Sequence, residues 1–242
     1  IICASKLRLM KLMKSAMTTT SLLKTPSKVA ATIVCGCAVA YAGSAEQAHK
    51  NLSATTITPI FSQLMGTGYP AGFTTAFEKA QPQSYLREAV LTGETVDHWT
   101  QIITVTGIKG LAAKPGLTPK VVFDAMAGGF KRACPGSFSA QSINNHKVSG
   151  FDAIAAVVSC GATPMTRGTT SETALIVVIK GVADVYTVQW AERAAPSREP
   201  IPVDVAKWSD RYNKLGPLKL CPIIPGERAP YPSCVGPAER TK

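Results

Sequence analysis

The sequence has little of what enzyme and metal sites are usually built from. Its 242 residues contain only three histidines and 7% aromatic side chains. No Gly-x-Ser-x-Gly elbow occurs, which removes the usual strained turn that presents a serine nucleophile. Neither G-x-x-x-x-G-K nor G-x-G-x-x-G is present, and Gly66-x-Gly68 is too short to cradle a phosphate. Gly128-Gly129 lies inside a helical pattern, where small residues let a helix approach a sheet closely. From position 134 onward the cysteines are separated by 26, 61 and 13 residues with no histidine beside them, unlike the close pairs of zinc sites. No metal and no cofactor is expected. No uncharged apolar run reaches the roughly 20 residues of a membrane-spanning helix.

Acidic residues are absent from the first 45 positions. That stretch carries Lys6, Arg8, Lys11, Lys14, Lys24 and Lys28, more than half of the formal charge of +11. The remaining chain mixes 20 basic with 15 acidic side chains and has no long block of one sign, the pattern of a solvated surface. A nucleic-acid partner is therefore not expected.

What the N-terminus does contain is the signature of export. Lys28 closes a basic region, Val29 to Ala42 is a run of small and apolar residues, and Gly43, Ser44 and Ala45 precede Glu46. Residues 1–42 read as a signal peptide with upstream residues, Met10, Met13 or Met17 being the candidate starts. Cleavage is expected after Ala42, with Ala45 as the alternative. Val34-Cys-Gly-Cys37 resembles a lipoprotein processing box, so a membrane attachment is expected only if Cys37 is acylated.

Removing that segment, with Cys3, Cys35 and Cys37, leaves Cys134, Cys160, Cys221 and Cys234. An even number in an oxidising compartment implies disulfides, and four cysteines allow three connectivities. The order of elements favours Cys134 with Cys160 and Cys221 with Cys234.

In the mature chain, residues 43–72 read as a lead-in segment. Strand patterns follow at 73–80 and 84–91 about the turn Gln81-Pro-Gln83, and again from Trp99 to Thr106, where apolar and polar residues alternate. Thr118 and Pro119 are an N-cap and a first-turn proline for a helix whose stripe is Phe123, Met126, Ala127, Phe130 and Cys134. Segments 137–143 and 148–160 suggest a hairpin turning at Asn144 to Lys147, and 172–180 and 184–193 another about Gly181 to Ala183. Val205, Trp208, Tyr212 and Leu215 mark a second helix. Residues 216–242 read as a proline-rich tail closed by Cys221 and Cys234. The fold class is α+β: a largely antiparallel sheet over 73–215 with two helices packed on it, stapled by disulfides.

The densest set of functional groups is Glu94, Asp97, His98 and Trp99. A carboxylate beside an imidazole can do acid–base work, but neighbours in sequence do not converge in a strand, and a turn with an exposed histidine accounts for the same residues. His146 and His49 read as solvated.

The element order, with Gly93-Glu94 ahead of Trp99-Thr100 and the phrase Phe130-Lys-Arg-Ala-Cys134, resembles small exported bacterial proteins of the PsbP-like and DcrB-like α+β sandwiches. The resemblance implies a periplasmic or secreted accessory or binding protein of the cell envelope without catalytic activity. Its partner would be an envelope protein or a small ligand, bound near Glu94 to Trp99. The alternative is a secreted hydrolase using His98 with Glu94 or Asp97.

Overall fold

A computed structural model describes residues 54–235. The expected signal peptide and its cleavage site, Cys35 and Cys37, His49, residues 43–53 of the lead-in and residues 236–242 of the tail lie outside the described residues.

Seven antiparallel strands form the main sheet: β3 (Phe73–Ala80), β4 (Ser84–Leu91), β5 (Gln101–Ile108), β6 (Phe138–Val148), β7 (Phe151–Cys160), β8 (Ser171–Lys180) and β9 (Val185–Ala194). Their spatial order is β3-β4-β5-β9-β8-β7-β6. The two halves, β3 to β5 and β6 to β9, meet along β5 and β9, which pair from Gln101–Glu192 to Ile108–Val185. Leu175, Val177 and Ile179 of β8 point to one face and Ala174, Ile176 and Val178 to the other, and all six are fully buried. That double burial is why this strand lacks the apolar–polar alternation of a half-exposed one.

Helix α1 (Pro119–Ala133) packs across β7, β8 and β6. The Thr118 hydroxyl accepts the Val121 N–H and Pro119 occupies the first turn, as the sequence predicts. Cys134, at its C-cap, is bonded to Cys160 at the end of β7. The opposite face carries helix α2 (Val205–Lys214), capped by Asp204, with Trp208 and then Leu215 in the main core.

That same face also holds a small sheet, and here the sequence reading needs correction. Residues 54–69 are not a lead-in but a hairpin, β1 (Ala54–Ile60) and β2 (Gln63–Tyr69). In the tail, β10 (Lys219–Pro222) pairs with β2, and Cys221 is bonded to Cys234 in the short helix α3 (Pro232–Val235). Ile60, Met65, Tyr69 and Leu220 join the main core. Gly66 and Gly68 looked like strand breakers because their cause is long-range: a side chain at Gly68 would run into the Gly216 carbonyl. A second correction concerns the β6–β7 hairpin, which turns at Ser149-Gly150, both at positive φ, and not at Asn144 to Lys147. Two consecutive residues in that region make the turn whose twist matches the strands. The register shift between Ser142 and Asn144 carries the polar run 144–147 into β6.

Asp184, 1% exposed at the entry to β9, fixes the small sheet on the large one. Its carboxylate accepts the Ser62 N–H (3.1 Å) and hydroxyl (2.5 Å) from the β1–β2 turn, and the Gly110 N–H (2.7 Å) beyond β5. The Tyr186 hydroxyl lies 3.3 Å from the same carboxylate and 3.1 Å from the Ile60 carbonyl. These contacts hold Phe61 at φ 54°, an uncommon conformation for a bulky residue. Beside them the buried Gln63 side chain accepts the Val182 N–H. Burial acts to raise the Asp184 carboxyl, but the Ser62, Gly110 and Tyr186 donors together hold it below its ordinary value.

A depressed folded-state pKa contributes stability above the unfolded value near 3.9, and that contribution is lost as pH falls through the folded value. Asp184→Asn should therefore cost about 2–3 kcal/mol at pH 7 by chemical denaturation. The gap between variant and parent should close in acid. An equal gap at pH 7 and pH 3 would show that the charge of Asp184 contributes nothing.

Candidate functional site

The opposite end of the large sheet carries an open pocket of about 780 Å³. One wall is the turn between β4 and β5, residues 92–100, and contains every residue singled out by sequence: Glu94, Asp97, His98 and Trp99 all line it. The facing wall is the β7–β8 connection, with Met165, Arg167 and Thr170, and between the walls lie Arg193 and Ala194 at the end of β9.

Each wall is rigid for a local reason. In the first, the Glu94 carboxylate accepts both the N–H (2.9 Å) and the hydroxyl of Thr100, while Thr95 and His98 exchange backbone hydrogen bonds. Glu94 is thereby committed to holding its own turn. The Arg193 N–H donates to the Thr100 carbonyl at 2.8 Å, tying this turn to β9. In the second wall, the connection leaves β7 directly after the Cys134–Cys160 disulfide. Fully buried Thr163 then accepts the Met165 N–H on its hydroxyl and the Gly168 N–H on its carbonyl, and the Thr166 and Thr170 hydroxyls pair at 2.8 Å.

The centre of the site is Arg193. Its guanidinium lies over the Trp99 ring, 3.8 Å from the centroid, and its Nε is 3.6 Å from the Glu172 carboxylate, which is fully buried in β8. The ion pair offsets the cost of burying either charge, and the indole face adds on the order of 1–2 kcal/mol. At 3.6 Å the contact with Glu172 is too long to be a hydrogen bond, and among the described residues Arg193 Nε has no hydrogen-bond acceptor.

The exposed Asp97 and His98 do not assemble with Glu94 into a catalytic relay. Among the described residues nothing hydrogen-bonds the His98 ring, and Glu94 faces Thr100. Chemistry at His98 would need an oriented carboxylate, and this wall does not supply one.

Arg193, Met165 and Arg167 escaped the sequence reading because Arg193 is 94 positions from Trp99, and no local pattern joins a strand end to a distant loop. One local signal existed in Thr163 to Thr170, a hydroxyl-rich loop with Arg167-Gly168 at its tip. His146, which read as a solvated turn residue, instead lies in β6 against α2, with Nε2 2.5 Å from the Tyr212 hydroxyl. Burial lowers its pKa, and burial raises that of Tyr212.

No family model matches the chain, and no curated protein matches its sequence. Among solved structures, Mog1p, a Ran-binding protein of Saccharomyces cerevisiae, is similar at 12% identity and TM-score 0.37, covering 69% of this chain and 86% of that one. LpqN of Mycobacterium tuberculosis, described as involved in cell envelope biogenesis, is similar at 12% identity and TM-score 0.30, covering 73% and 88%. A protein of Bacteroides thetaiotaomicron is similar at 13% identity and TM-score 0.35, covering 68% and 47%. A distant α+β arrangement is what they have in common, and at these scores the likeness carries nothing about function or about the PsbP-like and DcrB-like resemblance.

Arg167 sits at φ 54° as the C-cap of the short 3₁₀ turn Pro164–Thr166, a place where glycine is conformationally cheaper. The fold does not ask for arginine there. Arg167→Gly should leave the unfolding free energy within about 1 kcal/mol of the parent, because relief of the left-handed conformation offsets the entropy of glycine. A loss of 3 kcal/mol or more in denaturant titration would assign the side chain a structural role.

Proposed function

We propose that the chain is a periplasmic or secreted binding protein that acts without chemistry, through the pocket between the 92–100 turn and the 163–170 loop. Its two disulfides, Cys134–Cys160 and Cys221–Cys234, are those of an extracytoplasmic protein. The observation that carries the reading is convergence. Two independently braced loops and the end of β9 line a pocket of ligand size, with an arginine held over a tryptophan ring at its floor. Groups placed this way are pre-organised, so little ordering entropy is spent on binding. The cell-envelope accessory role expected from the sequence fits such a site, whether the occupant is a small ligand or a segment of an envelope protein.

The hydrolase alternative finds no support in the geometry, since Glu94 is committed to Thr100 and the His98 ring stands in solvent. Two measurements separate the readings. Chromogenic esters such as p-nitrophenyl acetate should be hydrolysed no faster by the protein than by its His98→Ala variant, whereas a rate that disappears with His98 would restore the hydrolase. In amide NMR spectra, at least one of L-leucine, glucose, inorganic phosphate or a short peptide should shift resonances from residues 94–100, 165–170 and 193–194. Silence of those resonances with all four probes would remove the binding reading.

A further inference from the structure

The charges that line this pocket are balanced and segregated. Asp97 and Glu94 belong to one wall, Arg167 to the other and Arg193 to the floor. Glu94 is taken up by Thr100. Asp97 is exposed, and no ion pair among the described residues uses it. Arg167 is also exposed, and it carries its charge at a left-handed position where the loop does not ask for an arginine. Arg193, with a side chain 13% exposed, is ion-paired at 3.6 Å with the buried Glu172, and no hydrogen bond among the described residues uses its guanidinium. An arginine is a planar fork of five donors that matches a carboxylate edge on. Here the guanidinium is held over the Trp99 ring beside Glu172, and no hydrogen bond among the described residues occupies its donors.

We infer that the pocket takes a zwitterion that carries a carboxylate and an ammonium group, an amino acid or short peptide with free termini. The carboxylate is received by Arg193 and Arg167, and the ammonium by Asp97. The apolar side chain between them lies against Met165, 47% exposed on the loop wall, and Ala194. The charge balance selects against the alternatives. A dianionic phosphate adds uncompensated negative charge beside Asp97 and Glu94, and a simple cation meets Arg193 and Arg167. A neutral sugar leaves the Arg193 donors facing a weaker acceptor than a carboxylate. This inference rests on the binding reading above and gives it a ligand class.

The test uses the oxidised protein and matched probes, read by amide NMR titration and calorimetry: the tripeptide Ala-Leu-Ala, its C-terminal amide, its N-acetyl form, and phosphoethanolamine, which presents the ammonium with a phosphate. The free tripeptide should shift the 94–100, 165–170 and 193–194 resonances, and each blocked form should bind at least tenfold more weakly. Arg167→Gly should lose at least tenfold for the free peptide while keeping the parent spectrum elsewhere. In Asp97→Asn the free and N-acetylated peptides should bind alike. Equal binding of free and blocked peptides, or a preference for phosphoethanolamine, overturns the ligand class and leaves a binding pocket standing. Silence of the groove resonances with these probes overturns the ligand class, and silence extending to leucine, glucose and phosphate removes the pocket as a binding site as well.

Discussion

Everything in this molecule depends on how one buried carboxylate is satisfied. Asp184 is removed from water and has no salt-bridge partner among the described residues, so its charge is carried by hydrogen-bond donors from three parts of the chain. A buried unpaired charge is expensive unless its lone pairs are fully used. Here using them requires the β1–β2 turn, the exit of β5 and the start of β9 to meet at one point. The small sheet is thereby fixed on the large one, and Phe61 is held in a conformation it would not choose alone.

The strands that begin or end at this anchor have their other ends at the pocket. β9 runs from Val185 beside Asp184 to Arg193 and Ala194 in the site, β5 from Gln101 beside Trp99 to Ile108, and β8 from Ser171 to Lys180. One end of the sheet is spent on stability, with Asp184, Gln63 and Tyr186 in buried contacts. The other end presents exposed charges on braced loops. The same backbone hydrogen-bonded ladders serve both, and the Cys134–Cys160 bridge stiffens the pocket end beyond what the ladders alone provide.

How much of this was legible in the sequence follows the range of the interactions. The strand expected from Trp99 to Thr106 is present as Gln101–Ile108 but buried on both faces, whereas the Thr118-Pro119 cap and the stripe from Phe123 to Cys134 are local and are found where the sequence places them. So are both disulfides. The hairpin at 54–69 was invisible because its glycines are explained by Gly216 and Lys219, some 150 positions away. The polar run at 144–147 has the local composition of a turn but lies in an edge strand beyond a register shift, and the chain turns instead at Ser149-Gly150. At the site, Glu94, Asp97, His98 and Trp99 stand out in the sequence as one cluster, and all four line one wall of the pocket. Their meaning comes from Arg193, which only the pairing of β5 with β9 brings to Trp99.

The central claim is that the pocket is built in advance and held rigid by its own hydrogen bonds. Hydrogen–deuterium exchange of the oxidised, ligand-free protein tests it directly. The amides of Thr100, Thr163, Gly168, Thr170 and Arg193, each of which donates an internal hydrogen bond, should exchange orders of magnitude more slowly than unstructured amides. Exchange of the 92–100 and 163–170 amides at unprotected rates would contradict the account, because the walls of the pocket would then form only with an occupant in place.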